Sequence, residues 1–337
     1  MINTGVIGVG YWGPNWVRNF AMHPEVRVKT VCDLKEDRLQ YIRRMYPFLQ
    51  TTTCYQDVLN DTEIDLVAVC TPVDSHFELA QAVLQSGKHV LLEKPMTASV
   101  EQAEALLKIA GEKNRHIFVD HTFIFTGAVR KIRELLESGE IGELYYFDSV
   151  RVNLGLFQHD VNVIWDLAPH DIAIMHYLLE QPPISVVATG ADHLGQGLED
   201  VAYLTVYYPG SLIAHIHTNW LSPVKIRQTL LAGSRKMVVW DDNQPSEKVR
   251  VYDKGIEVVR STDEIYNTLI QYRTGDMHCP KIDATEALAA ETRHIVNCLK
   301  GTETPLVDGR AGLMVVRILE AAQQSIKQRG REIRIND

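Results

Sequence analysis

Clusters of positive charge are missing from this chain. Its balance is acidic, with 34 Lys and Arg against 43 Asp and Glu and a formal net charge of −9. A nucleic-acid partner is therefore not expected, because phosphate neutralisation needs grouped cations. No apolar stretch reaches the length that crosses a bilayer, so no membrane partner is expected either. The chain enters an apolar run within its first residues, which leaves no room for a signal peptide. Cysteine is sparse and scattered. Cys32, Cys54, Cys70, Cys279 and Cys298 contain no C-x-x-C pair, which argues for a reducing, cytoplasmic setting and against a disulfide framework or a zinc site. There is no H-E-x-x-H, no close Cys/His group and no G-x-S-x-G, so no metal is expected and serine chemistry has no support. Low-complexity segments and short repeats are absent as well.

What is present is length and apolar content, 337 residues with 45% hydrophobic, enough for two domains with sizeable cores. The first is announced by Thr4 to Gly13, TGVIGVGYWG. A short apolar run feeds a G-x-G-x-x-G at Gly8, Gly10 and Gly13, and Trp16, Val17 and Phe20 follow at helical spacing. In that strand–turn–helix context the glycines have separate tasks: a tight turn, close approach of a pyrophosphate, and close helix–strand packing. The helix N-terminus then offers N–H groups to phosphate. A second apolar strand, Val26 to Val31, ends at Asp33, twenty residues after Gly13. A carboxylate there suits the two ribose hydroxyls and repels a 2′-phosphate, so NAD is expected over NADP. The plainer role for Asp33 is to cap the next helix.

The alternation continues through the first third. Helical patterns at Leu34–Met45, Asp74–Ser86 and Val100–Lys113 separate strand patterns at Ile64–Cys70, His89–Leu92 and His116–Val119. Continuous apolar strands between helices predict an α/β domain with a doubly wound parallel sheet. After His121 the rhythm changes. Helical patterns at Ala128–Ser138 and Ala168–Leu179 flank a strand at Leu144–Val152, and a series of alternating runs fills Val186 to Val259. These predict an α+β domain with a large, mostly antiparallel open sheet, closed by helices at Thr285–Leu299 and Gly309–Lys327. The domains read as 1–121 and 122–337. Ile213, His215, His217, Trp220 and Trp240 are large side chains along the second sheet, and one of its faces is expected to join copies into a dimer or tetramer.

Two constellations carry chemistry. Glu93-Lys94-Pro95 closes a strand of the parallel sheet, where a partly desolvated lysine can hold a hydroxyl or help move its proton. Pro95 there suits a cis peptide. A surface lysine paired with Glu93 is the plainer alternative. Asp166 and His170 are four apart, one helical face, as an acid/base pair needs. Pro169 implies that this segment is the first turn of a helix. Asp166 as an N-cap with His170 as a packed residue stays open. His76, after Thr71-Pro72, and His121, at the end of the last parallel strand, are weaker candidates to face the cleft.

Taken together, the glycine loop, the strand-end Asp33, Thr71-Pro72 with His76, Glu93-Lys94-Pro95 and the D-x-x-x-H-D at Asp166–Asp171 resemble the Gfo/Idh/MocA oxidoreductases, over essentially the whole chain. The resemblance implies an NAD(P)-dependent dehydrogenase acting on a CH–OH group of a carbohydrate, with Lys94, Asp166 and His170 at the catalytic positions. It leaves open whether Lys94 or His170 is the base. The cofactor set it implies is Gly8, Gly10, Tyr11, Trp12, Gly13, Asp33, Thr71, Pro72, His76, Glu93 and Lys94. His121, Arg151, Asn153 and Trp165 are candidates to meet the substrate. Asn162-Val163-Ile164-Trp165 departs from the family's glycine-rich approach to the aspartate, which implies a differently shaped pocket near the nicotinamide. A nucleotide-sugar 3-dehydrogenase is the nearest type; a diphosphate would need cations, and Arg151, Lys225, Arg227 and Arg273 are the candidates. A free sugar or inositol would need none of them. A non-catalytic NAD and sugar sensor, or an imine or biliverdin-type reductase, are the rivals.

Overall fold

The structure, a computed structural model, describes residues 1–155, 161–259 and 269–335. It divides into two compact units, Met1–Phe125 with Thr285–Glu320, and Thr126–Ala284 with Ala321–Asp337.

In the first unit the elements run β1 Ile2–Ile7, α1 Gly13–Met22, β2 Val26–Cys32, α2 Glu36–Met45, β3 Gln50–Thr52, α3 Tyr55–Asn60, β4 Leu66–Val69, α4 His76–Gln85, β5 His89–Leu92, α5 Val100–Lys113 and β6 Ile117–Val119. The six strands are all parallel, in the order β3-β2-β1-β4-β5-β6, so the strand order reverses between β1 and β4. That is the doubly wound dinucleotide-binding order, and ligands of such sheets bind at the carboxyl ends beside the reversal. Burial explains the run of apolar residues: every side chain of β4 is buried, as expected for a strand covered on both faces. Local chemistry sets the helix ends. Ser99 accepts from the Gln102 N–H while Gln102 Oε1 accepts from the Ala98 N–H, a reciprocal cap that starts α5, and Asn114 stops it in the left-handed region. The helix expected from Leu34 begins two residues later, because Asp33 Oδ1 accepts the Lys35 N–H and holds the turn.

The second unit continues with α6 Gly127–Glu137, β7 Leu144–Leu154, α7 Val163–Leu179, β8 Ser185–Ala191, β9 Val201–Tyr207, β10 Ile213–Asn219, β11 Leu221–Gly233, β12 Met237–Asp241, β13 Val249–Tyr252, β14 Gly255–Val259, β15 Leu269–Arg273 and β16 Met277–His278. After α8 Ala287–Leu299 and α9 Gly309–Lys327 it ends in β17 Ile333–Arg334. Its nine-stranded sheet runs β16-β13-β12-β11-β7-β10-β9-β8-β17, antiparallel except where β10 meets β7. α7 packs on β7, β9 and β10. The other face of those strands is open: Tyr146, Ile213 and Tyr207 lie in cross-strand register and are all exposed.

The units differ from the two chain halves expected on either side of residue 121. α8 and the first part of α9 belong to the first unit. Leu288, Ile295 and Val296 of α8 join Trp16, Val17 and Phe20 of α1 in one apolar cluster, and Phe118 of β6 bridges Asp308. Amphipathic patterning identified the helices, but it carries no information on which sheet a helix covers.

Candidate functional site

In the first unit the site is mostly backbone. β1 ends at Gly8, whose φ of +91° lies where glycine is favoured and whose added Cβ would come within 2.8 Å of the Cys70 carbonyl oxygen. A Cβ on Gly13 would come within 2.0 Å of the Gly8 carbonyl oxygen. Gly10 differs. Its nearest neighbour would be the flexible end of Arg38 at 3.4 Å, so the protein's own packing does not require glycine there. A bound pyrophosphate lying against the loop would require it. α1 begins without a side-chain cap and with no acidic residue in its first turn, so its amide groups suit an anion. Asp33 is 5% exposed and is built into this loop: Oδ2 accepts the Val9 N–H at 2.8 Å and lies 3.3 Å from Arg38 Nη1. Cradle, helix end and strand-end carboxylate together fit a dinucleotide. Gly8, Gly10, Trp12, Gly13 and Asp33 would hold it, with Tyr11 exposed at the tip.

The neighbouring strand ends hold the other expected residues. Thr71 and Pro72 follow β4, and Glu93 and half-buried Lys94 follow β5. The Lys94–Pro95 peptide is cis. His76 takes a different place from the one expected. It is 1% exposed, with Nε2 2.8 Å from the Thr71 carbonyl and Nδ1 3.0 Å from the Pro95 carbonyl. It ties two strand-end turns together instead of facing a ligand, and burial holds its pKa below the ordinary value. His121 is also buried.

Asp120, between β6 and His121, was not expected. Its Oδ2 accepts both Trp12 Nε1–H and Trp16 Nε1–H, the latter at 2.7 Å, and Thr122 Oγ1 donates to Oδ1. The glycine loop is thereby anchored to the far edge of the parallel sheet. Thr122 also contacts Glu291 Oε2 of α8 at 2.9 Å. Burial pushes both carboxyls upward, despite the hydrogen bonds to Asp120, and the Asp120 and Glu93 charges push Glu291 further. The only sequence signal for Asp120 was its position at a strand's carboxyl end.

In the second unit α7 positions the expected pair. Asn162 caps it, accepting from the Trp165 N–H at 3.2 Å and donating to Glu199 Oε2 at 2.6 Å. The cap is therefore Asn162 and not Asp166. Pro169 is not in the first turn: it is the seventh residue of α7, where it removes the amide that would reach the Trp165 carbonyl. Asp166 and His170 lie one turn apart, each partly exposed. Trp220 Nε1–H donates to Asp166 Oδ2 at 3.0 Å and fixes the carboxylate's direction. Gly155 leaves room for that indole, since a Cβ would come within 2.8 Å of it. Asn153 and Trp165 are half-buried nearby in the chain. Arg151 corrects the expectation of a substrate or diphosphate contact. It is 3% exposed, and its Nε and Nη2 bond Asp171 at 2.6 and 3.2 Å, with Ser149 Oγ also on Asp171 at 2.8 Å. Among the other cations Arg273 pairs with Asp253, Arg227 lies 3.8 Å from Asp242, and Lys225 is exposed. Among the described residues no group of His, Cys, Asp or Glu could hold a metal ion, and no helix is long and apolar enough to cross a membrane.

A dinucleotide cradle on a doubly wound sheet, with a second unit built on an open sheet, defines a two-part dinucleotide-binding protein. The family model described as "Oxidoreductase family, NAD-binding Rossmann fold" matches residues 2–121, and the GFO/IDH/MocA C-terminal domain matches residues 129–239. The chain belongs to the GFO/IDH/MocA family and is an NAD(P)-dependent dehydrogenase. It is 27% identical to the UDP-N-acetylglucosamine 3-dehydrogenase of Acidithiobacillus ferrooxidans, across 96% of each chain. It is 24% identical to the NADP(+)-dependent scyllo-inositol 2-dehydrogenase IolW of Bacillus subtilis, across 97% of this chain and 94% of that protein. The solved structure of the Acidithiobacillus enzyme shares the fold, with a TM-score of 0.80 at 22% identity over 97% of this chain and 98% of that one.

Proposed function

We propose that the protein transfers a hydride between a secondary alcohol of a sugar, in the first place a nucleotide sugar, and NAD. The observation that carries this reading is the Asp166–His170 pair on α7, one turn apart and partly open, with the carboxylate aimed by Trp220. The dinucleotide, when bound, supplies the hydride acceptor. His170 takes the hydroxyl proton, Asp166 orients the same part of the sugar, and Lys94 donates a hydrogen bond to the oxygen as it becomes a carbonyl. Relatives named as UDP-N-acetylglucosamine and inositol dehydrogenases support a sugar or cyclitol alcohol. Asp33 supports NAD, since its carboxylate would meet a 2′-phosphate, and NADH is expected to bind more tightly than NADPH in a direct titration.

Lys94→Ala and His170→Ala test the roles. Each is expected to lower kcat by about 10²–10⁴-fold. NAD affinity survives in His170→Ala, which lies outside the cofactor set. Turnover near normal in both variants removes them from the mechanism, and tight NAD binding with no nicotinamide absorbance change across a broad sugar panel favours a sensor. The open face of the second sheet, with Tyr146, Tyr207 and Ile213 exposed together, supports pairing of two copies. Ile213→Glu is expected to shift the mass measured by light scattering to that of the monomer.

A further inference from the structure

Asp120 grips the first turn of α1. Trp12 is the N-cap of that helix and Trp16 lies one turn on, and both indole N–H groups donate to the same carboxylate oxygen, Oδ2. The backbone of Asp120 is itself fixed, since its N–H donates to the Leu92 carbonyl at 2.8 Å. Oδ1 takes the Thr122 N–H at 3.3 Å and the Thr122 hydroxyl. Four donors fill the acceptor sites of a buried carboxylate. Thr122 Oγ1 also lies 2.9 Å from Oε2 of Glu291, which is fully buried. A hydroxyl has one proton. Given to Asp120, it leaves Thr122 only as an acceptor toward Glu291, so Glu291 donates and is the carboxylic acid. A proton on Asp120 instead would weaken three N–H bonds and leave an ionised Glu291 whose Oε1 has no hydrogen-bond partner among the described residues. Burial agrees, raising the Asp120 carboxyl and holding that of Glu291 well above the ordinary range. Of the elements packed on α8, the turn Thr122–Phe125 carries no charge, and α1 carries only Arg18, which pairs with Glu286. The Glu93 and Asp120 charges act on Glu291 from the ends of β5 and β6, and burial holds the nearby Cys70 as a thiol.

We infer that Asp120 is a positioning residue for the dinucleotide, acting through Trp12, and that the proton on Glu291 keeps it in place. Trp12 stands between Gly10 and Gly13 at the start of α1. The carboxylate that holds its indole therefore also sets the direction of the amides offered to the phosphates. Loss of the Glu291 proton puts two anions on one hydroxyl, and buried like charges repel strongly. The repulsion acts on Asp120, whose Oδ2 is held only by the two indoles, and so it reaches the loop. This role concerns the cofactor alone and rests on the dinucleotide-binding fold, so no sugar enters its test.

NAD affinity of the full chain is measured by calorimetry between about pH 6 and about pH 9, with the melting temperature of the NAD-free protein followed alongside. Asp120→Asn and Trp12→Phe are each expected to weaken NAD binding about tenfold, and the double variant to lose no more than the larger single loss. The wild type is expected to bind NAD about tenfold more weakly at the alkaline end than at the acid end. Glu291→Gln cannot ionise, and its amide still donates to Thr122. It is expected to match the wild type in mild acid and to hold that affinity as pH rises. NAD affinity unchanged in Asp120→Asn overturns the positioning role, and losses that add in the double variant overturn the route through Trp12. A flat profile in the wild type, or a pH dependence that Glu291→Gln leaves unchanged, overturns the part of the proton. Should Asp120→Asn fail to fold, Trp12→Phe and the two pH profiles decide, since neither changes Asp120. If NAD binding weakens only where the NAD-free melting temperature falls with it, the contacts are packing and the role is overturned.

Discussion

The glycine loop of the first unit and the α7 face of the second are built from different materials. The loop presents main-chain amides, and its specific requirements are small residues where a Cβ would strike a carbonyl. The α7 face presents side chains, each aimed by a partner far away in the chain: Asp166 by Trp220, and the Arg151–Asp171 pair through Ser149. A backbone cradle is specified by residues that follow one another. A side-chain site is specified by strand register and helix packing, and a shift in either moves every group in it. The first is a general holder for a shared cofactor. On the proposed function, the second is the part in which substrates can change while the scaffold persists.

Breaking the buried pair gives the largest separation between the units. Arg151→Gln leaves the Asp171 carboxylate buried and without its clamp, and is expected to cost about 3–5 kcal/mol. Urea denaturation followed with an NAD titration checks it: stability falls, dinucleotide affinity holds. A loss of sugar binding at unchanged stability would return Arg151 to the role of ligand contact. A smaller effect comes from the loop. Gly13→Ala forces a methyl onto the Gly8 carbonyl, costs about 1–3 kcal/mol and abolishes NAD binding. Gly10→Ala, with nothing rigid in its way, is expected to keep the melting temperature and lose NAD affinity. If both alanines behave alike, the distinction between a packing glycine and a ligand glycine fails.

The smallest effect is a pH dependence. Burial raises the Glu291 carboxyl above its unfolded value, so the folded chain binds its proton more readily than the unfolded chain does. Its contribution to stability is therefore most favourable at low pH. It declines as pH rises from the unfolded carboxyl range, about 4.3, towards the raised folded value. Glu291→Gln cannot ionise. Thermal melts are expected to show the variant gaining on the wild type at pH above neutrality and matching it in mild acid. A variant destabilised equally at all pH values would mean that the Thr122 contact, and not the charge, is what matters.

The elements were largely legible because their signals are local. His89–Leu92, Val100–Lys113 and Gly309–Lys327 have the bounds that their patterns predicted. The parallel, doubly wound sheet followed from the alternation of strands and helices, while its strand order came only from the structure. What could not be read depends on distant partners. Asp120 was an unremarked strand-end residue until Trp12 and Trp16 met it. Arg151 was a candidate contact for the substrate or its diphosphate until Asp171 was found to bury it. Pro169 suggested a helix start because proline is tolerated best there, yet the Asn162 cap begins α7 upstream and packing on three strands carries the proline within it. His76 pointed to a ligand by its place behind Thr71-Pro72, and the Pro95 carbonyl claimed it.

The return of residues 285–320 to the first unit has a consequence for biosynthesis. A ribosome that has released the first 125 residues has released Trp16 and Phe20 without Leu288, Ile295 and Val296, and β6 without its bridge to Asp308. The nascent cradle therefore keeps part of its apolar surface uncovered until residues 285–320 have emerged. A chain that ends in that interval leaves the apolar faces of Trp16 and Phe20 without the α8 residues that cover them.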